Sequence, residues 1–589
     1  MSKFIQTIKK YGKIEYLYIL LLFFVSIPLF AGFLDGNDTR FHLMRIEGIT
    51  EGLRMGQFPV KIQPAWYEGF GYGCSVFYGD LFLYIPAFLH LIGVSLQASY
   101  QFYIFLVQAA TIAASAYSFD RIFQNRFIAF FGTTLYTLAI YRLKNLFVRG
   151  ALGEYTAMVF LPLLAYALVL LLKKDSEKKE LWKGTLLLAL GMTGILQCHL
   201  LSAEIVCIML ALICLIYIRR ILKAEVFGAF VKAVCLAAAL NLGFLVPFAD
   251  YMVTGKFNVN AINGGWRVEQ NIQECGAYIS QLAEIFYRAD SKIPTQEMGG
   301  IGLNLIAALA VFFLFLFLLK KEKKNSSCWK LAKISCLASV LSVFMSTGYF
   351  PWEALRKSNV LIRYIVINLQ FPWRFCTVAS IALTILWCCL LQLMLSEWSV
   401  RKALTAAGVV AALSLITAGY FVADTLRVGQ SFQAVFAEGM DTMVESGEEY
   451  LPVNTISSDF SEENLYVGEA LAVTGMERTG IRLNITCANQ SEQEQEMEVP
   501  LLYYKGYAAS GRTSDGTETE LAVGSGNNQV VRVHVPAEFD GTITVDFKEP
   551  FYWRIAEAVS LLAVLLTIFL AYVKIWNCNR KCAILGKSN

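Results

Sequence analysis

The stretch GNDTRFH, residues 36–42, puts Asp38, Arg40 and His42 immediately after an apolar run that ends near Leu34. A carboxylate, a guanidinium and an imidazole at the end of a hydrophobic segment make either a helix cap or the start of a reaction site. Asp38 satisfies the chemistry of both. Similar polar groups recur at the ends of other apolar runs: Arg149 and Glu154 in YRLKNLFVRGALGEY, His199 and Glu204 in QCHLLSAE, Arg363 and Arg374 in RYIVINLQFPWRF, and Asp35 beside the first group. Together they offer a carboxylate as general base and cations able to hold a phosphate. Each has a plainer reading. Glu154 suits the N-terminus of a helix, His199 an interhelical hydrogen bond, and Arg374 beside Trp373 an anchor at a membrane surface.

The elements that must position these groups are membrane helices. Of 589 residues 56% are hydrophobic and 16% charged, and several separate apolar runs are long enough to span a bilayer. The first, Glu15 to Leu34, lacks a cleavage site and reads as an uncleaved anchor. Most of the 14 cysteines lie inside apolar runs, where they act as small hydrophobes; no disulfide framework or zinc spacing emerges. Residues 423–550 hold 22 Asp or Glu against 7 Lys or Arg, a balance of −15, so the remainder carries +19 of the total +4. Cytoplasmic loops are the ones enriched in Lys and Arg, which puts the acidic block outside and implies no nucleic-acid partner.

Placing the short basic connectors inside requires an even number of crossings between them. From Asp120 onward, helices near 127–142, 155–172, 182–199, 203–218, 226–248, 300–319, 331–347, 375–396, 403–422 and 551–573 satisfy that count. Upstream, Leu81 to Val94 has fourteen residues, too few to span, and reads as a surface-lying or re-entrant helix. The expectation is an α-helical polytopic plasma-membrane protein with about twelve spans and both termini inside. A long outer loop then covers 35–97 and another 250–299. Within the first, Thr39 to Arg54 has amphipathic spacing and is expected to lie on the membrane. In the acidic block, alternating runs at 481–488, 498–504, 529–535 and 542–547 predict an external β-sandwich before the last helix. The domains are thus 1–422, 423–550 and 551–589. Almost nothing ionisable falls at mid-bilayer, which counts against an ion-coupled transporter.

NDTRFHLMRIEGITEGLRMGQFPVKIQPAWYEGFGYGCSVFYGD, followed by VRGALGEYTAMVFLPL, HLLSAE and QFPWRF, resembles the bacterial YfhO-like polytopic membrane proteins, grouped with the GT-C glycosyltransferase superfamily. VPLLYYKGYAA and the β-rich block before one last helix are similar to the same group. The resemblance implies a membrane glycosyltransferase that takes a sugar from a polyprenyl-phosphate donor and passes it, on the outer face, to a cell-envelope glycan, lipid or protein. Asp38 would be the base and Glu154 a positioning residue, or with Asp38 a ligand of a divalent metal in metal-using relatives. Many members carry Asp where this chain has Glu154, which leaves metal use open. Arg40, His42, Arg149, His199, Arg363 and Arg374 would bind substrate. Two other classes stay open: a transporter or flippase of lipid-linked sugars, and a non-catalytic envelope assembly factor.

Overall fold

The computed structural model describes residues 14–31, 36–260, 272–285, 299–318, 323–428 and 447–585. Asp35, most of the second outer loop and most of the segment from Ser431 to Tyr450 lie outside them. The chain forms two compact units: residues 1–54, 80–229 and 261–447, and residues 55–79, 230–260 and 448–589.

The first unit is helical and membrane-embedded. Over the whole chain, seven described helices are long and apolar enough to cross a bilayer, and four shorter apolar helices accompany them. The centre of the unit is Cys376–Glu397, whose apolar run is 89% buried. Its small side chains, Ala379, Ser380, Ala382, Thr384, Cys388 and Cys389, let neighbouring helices approach closely, as membrane packing requires. At Gly132 a Cβ would stand 2.5 Å from Cys388 Sγ.

Two expectations need correcting. The run expected to cross at 127–142 stops at Thr137; Arg126–Thr137 spans only ~18 Å at 1.5 Å per residue, and a second helix, Ile140–Phe147, follows. No Gly or Pro marks the break. Turning the chain there satisfies two buried cations that a continued crossing would carry into lipid. Arg142 donates to Thr137 O (3.1 Å) and Thr111 Oγ1 (2.9 Å), and Lys144 Nζ lies 2.6 Å from both Glu284 Oε2 and Gly299 O.

The second correction concerns Thr39–Arg54, which has the expected bounds but is buried nearly all round instead of lying on the membrane. It packs on Tyr84–Leu91, with His90 Nε2 2.8 Å from Glu47 Oε2 and Thr50 Oγ1 donating to Ala87 O at 3.3 Å. The shorter helix is the surface-lying one: Leu81, Ile85, Phe88 and Ile92 are exposed at i, i+4, i+7 and i+11.

The second unit contains eight antiparallel strands in two sheets. Leu471–Thr479 (β1), Arg482–Asn489 (β2), Asp540–Phe547 (β8), Tyr507–Thr513 (β4) and Glu518–Leu521 (β5) form one sheet in the order β1-β2-β8-β4-β5. Gln495–Leu502 (β3), Val530–Val535 (β7) and Val523–Ser525 (β6) form the other, in the order β3-β7-β6. Inward residues alternate along β2 and β7, with Leu483, Ile485, Cys487, Val531, Val533 and Val535 buried. Residues 55–79 belong to this unit. Leu502 N–H donates to Phe70 O (2.8 Å), Arg478 donates to Gly69 O and Pro500 O, and Tyr72 and Phe77 join Tyr450 in an aromatic cluster. The last helix, Phe551–Leu585, has only 6% of its apolar run buried, which suits a lipid-facing span.

Candidate functional site

Two glycines bring the first loop to the turn before Glu154. A Cβ on Gly36 would stand 2.6 Å from the backbone of Arg149 and Gly150, and one on Gly150, at φ +64°, would stand 2.0 Å from Thr39 Oγ1. Without side chains, the two backbones touch: Asp38 N–H donates to Arg149 O at 2.7 Å, while within the first loop Gly36 N–H donates to Thr39 Oγ1 at 3.1 Å. Asp38 therefore sits at the start of Thr39–Arg54, beside Arg149.

Glu154, on the short Leu152–Ala157 helix, is buried and fully engaged. Its Oε1 accepts from Tyr141 OH (2.7 Å) and Thr377 Oγ1 (2.9 Å); its Oε2 accepts from Arg149 (2.8 Å) and has Arg374 Nε at 3.5 Å. Arg149 also donates to Asn145 Oδ1 and Arg374 to Gln370 Oε1, both at 2.6 Å. Four side chains from two stretches of chain, 141–149 and 374–377, thus meet on one carboxylate. Such a group is an anchor for two guanidiniums.

Asp38 is the opposite case. Its carboxylate is half-buried and has no hydrogen bond or ion pair among the described residues; the Asp38 carbonyl, not the side chain, receives His42 N–H at 3.1 Å. Burial pushes its carboxyl up, against the pull of Arg149 and Arg374 and with the push of Glu154. The result is a more basic carboxylate left with nothing to hold.

Two imidazoles complete the group. His199 ends the loop before Leu200–Ile216 and caps that helix: Ser202 N–H donates to its Nδ1 (3.2 Å), which leaves the ring proton on Nε2. Burial, with the Arg374 charge beside it, pushes His199 down to about 3. His42 is likewise held well below its ordinary value by burial, then by Arg45 and His199. Both are neutral donors near pH 7.

Asp38, His42, Arg149, Glu154, His199 and Arg374 are therefore linked by bonds or by charge in one cluster. Arg40, about 200° round the helix from Asp38, faces another way. Arg363 is exposed on Val360–Asn368 and makes no contact with the cluster. Three participants had not been singled out: Tyr141 and Thr377, neutral residues close to the quoted charged stretches, and Arg45, buried and 3.4 Å from His42 Nδ1. Arg45 did leave a signal, since Asp38, His42 and Arg45 recur at i, i+4 and i+7 on one helix face. Of the two acids that would hold a divalent metal, Glu154 has both oxygens engaged and Asp38 has an open carboxylate; among the described residues no three His, Cys, Asp or Glu gather.

No family model and no curated protein matches the chain. Among solved structures it is similar to the crystal structure of ArnT from Cupriavidus metallidurans bound to undecaprenyl phosphate. The identity is 12%, with 70% of this chain and 76% of that chain covered at a TM-score of 0.30.

Proposed function

We propose that the protein is a GT-C-type glycosyltransferase that passes a sugar from a polyprenyl-phosphate donor to a cell-envelope acceptor. The observation that carries this reading is Asp38, a raised, unpartnered carboxylate beside buried Arg149 and Arg374. In the reaction, an acceptor hydroxyl gives its proton to Asp38 as its oxygen bonds to the sugar's anomeric carbon. The bond from that carbon to the lipid phosphate breaks, and the electron pair leaves on the phosphate. Arg149 and Arg374, held in place by Glu154, offset the charge that grows there, and His42 and His199 serve as neutral donors around it. No step runs through a metal.

This reading places the cluster and the β-rich unit on the outer face and both termini inside. The acceptor would be a glycan, lipid or protein of the envelope. The test is Asp38→Asn in proteoliposomes loaded with polyprenyl-phosphate sugar. Transfer lost with folding and donor binding retained supports the reading, and unchanged transfer overturns Asp38 as base. Donor crossing the bilayer with no transfer by the wild type replaces the enzyme with a flippase.

A further inference from the structure

A second feature of the helical unit lies away from the charged cluster. Between Leu161–Leu172, Leu200–Ile216, Ser327–Met345 and Cys376–Glu397 runs a cleft of about 560 Å³. Its volume is within the ~300–1,000 Å³ of small-molecule sites. The walls are apolar, formed by residues such as Leu164, Leu168, Met209, Ile213, Leu331 and Ile385, and among the described residues no Asp or Glu lines it. From Leu161 to Leu172 the cleft follows ~17 Å of helix, about half of the ~30 Å hydrocarbon core, which is the depth of one leaflet.

The two ends differ in charge. Val378 and Leu161 close the end nearer the cluster, whereas Lys173, Lys174 and Lys330 line the other. Lys173 pairs with Glu180 at 2.8 Å; Lys174 and Lys330 are exposed and make no ion pair among the described residues. An amphiphile therefore enters this cleft with its tail between the helices and its anionic group at the lysines. A donor whose phosphate sat at Arg149 and Arg374 would approach in the reverse sense and bring its apolar end to three cations. The charge pattern fits the first arrangement only.

We infer that the cleft holds an acyl chain of an anionic glycerophospholipid, with the headgroup phosphate at Lys174 and Lys330. The basic connectors that bound the cleft are the kind that face the cytoplasm, so the lipid belongs to the inner leaflet. It is a site separate from the transfer chemistry, and it stands whether or not that chemistry is as proposed.

The test uses the full chain in detergent, with phosphatidylglycerol and phosphatidylcholine of identical acyl chains added in turn, read by native mass spectrometry. The wild type retains phosphatidylglycerol preferentially. Lys174→Gln with Lys330→Gln lowers its affinity about 30-fold, at roughly tenfold or less per surface lysine, and leaves phosphatidylcholine unchanged. Ala165→Trp, which fills the cleft, removes retention with both lysines intact. Equal retention of the two lipids by the wild type overturns the inference. So does displacement of bound phosphatidylglycerol by equimolar polyprenyl phosphate, which would give the cleft to the donor. Should either variant fail to fold, these two wild-type competitions still decide.

Discussion

The contrast between the two acids of the cluster is the sharpest consequence of the geometry. Glu154→Gln leaves one uncharged acceptor: if its oxygen stays with Tyr141 and Thr377, an amide donor faces Arg149 and Arg374, and if it turns to the guanidiniums the amide faces the two hydroxyls. Two buried guanidiniums then lose their counter-charge, and removing one partner of a buried ion pair costs about 3–5 kcal/mol. Since whole domains are stable by only about 5–15 kcal/mol, the variant should yield little folded protein. Asp38→Asn removes a charge that has no bonded partner and that burial disfavours, so it should leave the fold as stable as before or more so. Reversible unfolding in mixed micelles measures both. Adding Arg149→Gln to Glu154→Gln should recover part of the loss, because it removes one stranded cation. A Glu154→Gln protein as stable as the wild type yet unable to transfer would make Glu154 a reacting group and refute its role as anchor. An Asp38→Asn protein weakened by more than about 2 kcal/mol would show that Asp38 is held after all.

Other outcomes follow from the same distances. Gly150→Ala sets a Cβ against Thr39 in a left-handed backbone, so it should cost about 1–3 kcal/mol and pull Asp38 from its seat, seen as lost transfer and greater protease sensitivity near residue 38. The raised Asp38 carboxyl must be ionised to accept a proton, so kcat/KM should fall on acidification with an apparent pKa above the ordinary ~3.9 of Asp. For His199 the folded value of about 3 lies below the unfolded ~6.5: its contribution is intact above pH 6.5 and is lost as pH falls toward 3, by up to about 1.4 kcal/mol per pH unit. His199→Asn, which keeps a capping acceptor, should flatten that slope in acid unfolding. In the second unit, Arg478→Ala leaves Gly69 O and Pro500 O without their donor, and limited proteolysis should then cut within residues 55–79 first.

What the sequence made legible was local. The 39–54 helix could be read from a turn signal and a 3.6-residue pattern, and β2, β3, β7 and β8 from alternation of period two. β1, whose residues are mostly exposed on both faces, had no alternation to read. The break after Thr137 was hidden because Arg142 and Lys144 find their partners at Thr111, Glu284 and Gly299, none of them nearby in the chain. The cluster was legible where charge stood out against apolar runs, as at Glu154 and His199. Thr377 lies 223 residues from the carboxylate it supports and carries no charge to betray it. Arg363 and Arg374 looked alike in sequence; only the fold turns one outward and buries the other.

The spacing of the partners around Glu154 also bears on biosynthesis. Arg149 precedes Glu154 by five residues, and Gln370 precedes Arg374 by four, so each charge leaves the ribosome beside a group that can bind it. A bare charge in a nascent membrane helix costs about 2.5–3.5 kcal/mol at insertion. With each cation and anion delivered alongside its own companion, both halves can enter the bilayer before they meet. The long bond from Thr377 then joins segments already in place, and the last structural partner of Glu154 arrives only when nearly two-thirds of the chain has been made.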